Sequence, residues 1–116
     1  MYGDMIYGLN KIKEMAEGDS DFINSVIGVF LEEVPEDLNA LEAAVESGDF
    51  AQIYQLSHKL KPNVDLLEME TTRVLALEME TMGKNQEDLE GIRARFGRLK
   101  QDIEQAVTEL RKDFDL

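Results

Sequence analysis

Apolar residues recur at intervals of three and four along almost the whole chain, and no stretch alternates apolar with polar as a half-buried strand would. Leu9, Ile12 and Met15 predict a short leading helix that stops at Gly18. Asp19 or Ser20 can cap a second helix by accepting from the free N–H groups of its first turn. The inner stripe of that helix is Phe22, Ile23, Val26, Ile27, Phe30, Val34, Leu38, Leu41 and Val45, and Gly48 ends it. Pro35 interrupts the stripe, which predicts a kink there or two shorter helices meeting at it.

Asp49 with Gln52 has the form of a capping box and opens a third helix, buried along Ile53, Leu56, Leu60, Val64 and Leu67. A fourth turns Thr72, Leu75, Met79 and Met82 inward. No Gly or Pro marks the break between third and fourth, which is expected between Glu68 and Thr71. Gly83 is expected to close the fourth helix and Asn85 to cap the last, with Glu87, Asp88 and Glu90 at the positive end of its dipole. Leu89, Ile92, Phe96, Leu99, Ile103, Ala106 and Leu110 then mark the seam of a long packed helix. The pattern predicts an all-α fold: an antiparallel four-helix bundle with a short additional N-terminal helix, one domain over 1–116. The six methionines fill gaps in these stripes.

Charge narrows the function. Twenty-five acids against twelve bases give a formal −13, a surface that repels phosphate backbones and anionic lipid, so neither nucleic acid nor membrane is an expected partner. Between Glu14 and His58 there is no Lys or Arg; Lys59 and Lys61 end that gap beside the histidine. The opening stretch MYGDMIYGLN lacks the basic and apolar regions of a leader, and no run approaches a membrane span, so a cytoplasmic location is expected. Without cysteine there is no thiolate nucleophile, disulfide or Cys-based metal site. A di-iron bundle needs Glu-x-x-His twice, but Gln55 stands three before the single histidine. The stretch GDSDF lacks the spacing of a calcium loop, and no Gly-rich loop is present to cradle ATP phosphates.

That leaves SHKLKPN, residues 57–63. A lone helical histidine is ordinarily a solvated or core residue. Here Leu56 and Leu60 each lie two residues away, about 200° around the helix, so His58 points outward. Tyr54, Lys61 and Asp65 share its face. An exposed neutral imidazole is a competent nucleophile near neutral pH, and Lys61, one turn on, can pair with a phosphoryl group carried there. Lys59 reads as simply solvated.

SHKLKPN followed by VDLLE resembles the signature of histidine-containing phosphotransfer domains, in which His, any residue, Leu, Lys and Gly precede small residues, an aliphatic residue and a second Gly. The resemblance extends from DFINSVIGVFLEEV through MGKNQEDLEGI. It implies that His58 is the phosphoryl acceptor, Leu60 a core anchor and Lys61 the supporting cation, with Tyr54 at the docking face. It implies a monomeric phosphorelay intermediate that exchanges phosphoryl with aspartates of response-regulator receiver domains, and a hybrid sensor kinase as a further partner. No kinase or ATP-binding activity and no cofactor of its own are expected; magnesium is expected on the receiver. The other reading is a non-catalytic helical adaptor that binds receivers or other helical partners. Pro62 replaces the pattern's first glycine, Asn63 and Val64 its smaller residues, and Glu68 its second glycine. Pro62 cannot donate to the His58 carbonyl, which predicts a local bend or a bridging water there.

Overall fold

The computed structural model describes residues 6–115; of the opening stretch examined for a leader, the first five residues lie outside that span. All regular structure among the described residues is helical: α1 Asn10–Ala16, α2 Ser20–Ser47, α3 Phe50–Leu66, α4 Glu70–Asn85 and α5 Leu89–Asp113. Most of the stripes read from the sequence form one core, in which Ile27, Leu41, Ile53, Leu60, Met79, Ile92, Leu99 and Ile103 are fully buried, while Phe22, Leu56, Leu75 and Met82, expected inward, are only half-buried and Ser57 takes the inward place beside Leu56. α2 packs on α3 and α5, α4 packs on the same two, and α1 lies against α2. Met15, expected inward, is exposed, and Ala16 takes its place in the core.

Neither proline breaks its helix. α2 runs unbroken through Pro35, so the expectation of two shorter helices is corrected, and α3 runs through Pro62 to Leu66. Each proline forfeits one backbone bond and crowds the preceding turn, about 3 kcal/mol in a helix interior. Against this, Phe30, Leu31 and Val34 before Pro35 and Leu38 and Leu41 after it are all buried, as are Leu60 and Val64 around Pro62. Each such side chain contributes roughly 1.5–3 kcal/mol of burial, so the core holds both halves of each helix in place.

Three turns share one backbone solution. After α2, the Gly48 N–H donates to the Val45 carbonyl and the Asp49 N–H to that of Ala44. After α3, the Glu68 N–H donates to Asp65 and the Met69 N–H to Val64; after α4, Gln86 donates to Gly83 and Glu87 to Met82. Each is a Schellman closure, which requires a left-handed residue just past the helix. Gly48 provides it at φ 72°, but Glu68 at φ 56° and Gln86 at φ 55° provide it without being glycine. This accounts for the unmarked break after α3, and it corrects two expectations at α4. Gly83 lies inside that helix, which Gln86 closes, and Asn85 is its last residue. The cap of α5 is Asp88, whose Oδ1 accepts from the Gly91 N–H at 3.0 Å. Asp19 and Asp49 cap α2 and α3 as expected.

The segment before α1 and the first turn of α1 are tied to the α3–α4 turn. The Gly8 N–H donates to the Leu67 carbonyl at 2.7 Å and the Lys11 N–H to Glu68 Oε2 at 3.0 Å, while the buried Tyr7 donates its hydroxyl proton to Asp113. Glu68 therefore carries left-handed strain and one compensating hydrogen bond. Glu68→Ala keeps the strain and loses the bond; Glu68→Gly loses both. The glycine variant is expected to be the more stable of the two by about 1 kcal/mol in urea unfolding, and equal stabilities would remove the strain argument.

Candidate functional site

Tyr54, His58 and Lys61 lie on successive turns of α3, placed outward because Ile53, Ser57, Leu60 and Val64 take the inward positions of the same helix. The His58 side chain is 63% exposed. Tyr54, one turn earlier, lies nearly parallel to it, with ring centroids 6.2 Å apart and planes at 22°.

The closest partner of His58 comes from α4, and the sequence reading missed it. Glu80 Oε2 lies 2.6 Å from His58 Nδ1, and its other oxygen, Oε1, accepts from Lys61 Nζ at 2.7 Å. One carboxylate thus holds the histidine and the lysine together, and Lys61 meets His58 through Glu80. Burial pushes the Glu80 carboxyl up, but the hydrogen bonds and positive charge of Lys61 and His58 outweigh it and hold the group below the usual carboxylate range. The arrangement is therefore complete above the normal carboxylate pKa, and the stability it contributes is lost as pH falls through the depressed value. A carboxylate accepting at Nδ1 places the ring proton there, which leaves the Nε2 lone pair outward.

Lys59 is not merely solvated. Its ammonium donates to Asp37 Oδ1 on α2 at 2.9 Å, and that carboxylate, with Glu33 and Glu36 nearby, raises its pKa above the usual lysine value. Asp65, the last residue of the His58 face, pairs with Lys11 at 3.2 Å. A depression between α3 and α4, lined by Tyr54, Lys61, Glu80, Thr81 and Lys84 among others, adjoins the ring. Among the described residues no group of three or more His, Asp or Glu is placed to hold a metal ion. None of the helices formed by those residues is long and apolar enough to cross a membrane.

The family model for the Hpt domain matches residues 25–111, from the first third of α2 into the last turns of α5. The chain belongs to the Hpt domain family. Hpt domains carry out histidine phosphotransfer in phosphorelay signalling, with receiver domains of response regulators as partners. No curated protein and no solved structure matches the chain closely enough to stand beside it. Glu68, at the second glycine of the signature that SHKLKPN and VDLLE resemble, adopts the left-handed geometry for which glycine is the easy choice.

Proposed function

We propose that His58 accepts a phosphoryl group from the aspartyl phosphate of one receiver domain and passes it, reversibly, to an aspartate of another. What carries this reading is an exposed imidazole whose Nδ1 is engaged by Glu80 and whose Nε2 is open. The Nε2 lone pair attacks phosphorus, the P–O bond to the aspartate breaks, and the electron pair leaves with the carboxylate. The receiver supplies magnesium and most of the charge stabilisation. Lys61 can leave Glu80 for the incoming phosphoryl oxygens, since both lie within reach of its flexible stem. Tyr54, half-buried one turn before the ring, lies at the docking face.

The same reading covers the architecture and setting. Residues 1–116 form one Hpt-like domain, an antiparallel four-helix bundle of α2–α5 with α1 added, working as a cytoplasmic monomer. The antiparallel order is supported by side-chain pairs that run in opposite sequence: Thr72 with Asp102 and Glu78 with Arg95 between α4 and α5, and Lys100 with Glu42 and Arg93 with the Glu46 carbonyl between α5 and α2.

Incubation with a phosphorylated receiver and magnesium tests the reaction. Label that moves to this chain, survives alkali and is lost in acid identifies phosphohistidine; no transferred label means binding without chemistry. Lys61→Ala is expected to slow the transfer on the order of tenfold, about 1.4 kcal/mol of barrier, with little change in melting. An unchanged rate would assign Lys61 to holding Glu80 alone.

A further inference from the structure

The first half of α5 departs from the charge pattern of the rest of the molecule. From Gly91 to Gln101 the chain carries four cations, Arg93, Arg95, Arg98 and Lys100, and no acid. That leaves eight of the twelve bases against all twenty-five acids elsewhere. We propose that the exposed face of this stretch, centred on Gly97 and Arg98, is a second protein-docking surface that takes an acidic helix of a partner. The inference stands apart from the phosphotransfer reading and concerns a surface that leaves His58 free.

The four cations are fixed by contacts at the edges of the face. Toward α2, Lys100 Nζ donates to Glu42 Oε2 at 2.8 Å and Arg93 Nη2 to the Glu46 carbonyl at 3.3 Å. Toward α4, Arg95 Nε donates to Glu78 Oε1 at 2.9 Å. Within α5, Arg98 Nε donates to Asp102 Oδ1 at 3.0 Å. Three carboxylates thus meet four cations, and among the described residues Arg93 meets only a backbone carbonyl, so its charge is not cancelled. A guanidinium has five N–H donors. Arg93 and Arg98 therefore keep outward donors on side chains already held in position, which reduces the ordering cost of binding. The Arg98 side chain is 58% exposed, whereas Asp102 is buried. Glu90 and Glu104 bound the face at its two ends.

Gly97 lies at the centre. A Cβ there meets nothing within 4 Å, so packing inside the molecule does not require glycine, although glycine weakens a helix interior relative to alanine. What its missing side chain admits is the close approach of something outside. Ala94 and Gln101, exposed on the same face, bring no charge and little apolar area, so the contact depends on charge and is weakened by salt. The face is about 15 Å long. A nucleic-acid duplex would run past it onto acidic surface that repels phosphate, whereas a helix with carboxylates one turn apart is matched to its length. α5 packs on α2 and α4, with α3 across the core, so a partner seated here leaves Tyr54, His58 and Lys61 open to a receiver.

The test titrates the ¹⁵N-labelled chain, at low ionic strength, with a helical peptide about fifteen residues long that carries glutamates one turn apart. A second peptide has glutamine in their place. Amide shifts centred on Arg93, Ala94, Gly97, Arg98 and Gln101 are expected with the glutamate peptide alone. Arg93→Glu is expected to weaken that binding on the order of tenfold. Gly97→Gln, which adds bulk without charge where the fold has room for it, should also weaken it. Both variants should accept phosphoryl from a receiver at the wild-type rate. Absence of shifts on α5, equal shifts with the glutamine peptide, or unchanged affinity in either variant overturns the proposal. A short DNA duplex that moves the same amides as strongly overturns the choice of partner. Slowed phosphoryl transfer in either variant would make the face part of the receiver interface and overturn its independence.

Discussion

Replacing His58 by glutamine is expected to abolish phosphoryl acceptance completely and leave the fold intact. The two effects separate because they depend on different atoms. Acceptance needs the Nε2 lone pair, which no amide nitrogen supplies. Stability depends on Leu60, Ile53 and Val64, which are fully buried, while the His58 side chain is mostly solvated. Removing the imidazole does withdraw one donor from Glu80, but Lys61 remains on the other oxygen, so the carboxylate is not left unpaired. The expected change in unfolding free energy is below about 1 kcal/mol, within the range of surface substitutions. Transfer from a phosphorylated receiver gives the first readout and chemical denaturation the second. A loss of several kcal/mol would show that His58 is part of the packing, and the phosphotransfer reading would fall with it.

The helices, their inward faces and the histidine were legible in the sequence because each is a local matter of period and side-chain direction. What was missed depends on contacts between helices. The sequence around Glu80 reads LEMETM, and nothing within those residues separates Glu80 from Glu78. Only the pairing of α4 with α3 brings Glu80 to His58, while Glu78 reaches Arg95 on α5. Lys59 read as solvated for the same reason, since Asp37 lies on another helix. The turn errors have a second cause. Glycine is the usual mark of a helix end, but Glu68 and Gln86 adopt the left-handed geometry at two of the three Schellman turns. Gly83, the one glycine of α4, serves a different purpose.

That purpose predicts the largest effect on stability. A Cβ at position 83 would lie 2.9 Å from the Tyr54 backbone nitrogen, 3.1 Å from Ile53 Cγ2 and 3.2 Å from the Phe50 carbonyl oxygen. Two of these three atoms are backbone, so the clash is relieved only by moving α3 away from α4. Gly83→Ala gains about 1 kcal/mol of intrinsic helix propensity. Overpacking of a close crossing costs about 1–3 kcal/mol, and here it acts at the contact beside the fully buried Ile53 and Met79. The overpacking wins, and a net loss of up to about 2 kcal/mol is expected, lowering Tm by about 4 °C per kcal/mol in a domain of this size. Gly97 on α5 is the matched control, because a Cβ there meets nothing within 4 Å. Gly97→Ala keeps the propensity gain alone and should raise stability by up to about 1 kcal/mol. The crossing also sets the alignment of Tyr54 and His58 with Glu80, since all three depend on how α3 lies against α4. Gly83→Ala should therefore slow phosphoryl transfer as well as lower Tm, whereas Gly97→Ala should leave the rate unchanged. If both alanines stabilise the protein equally, Gly83 does not mark a close crossing, and the alignment of Glu80 with His58 has another origin.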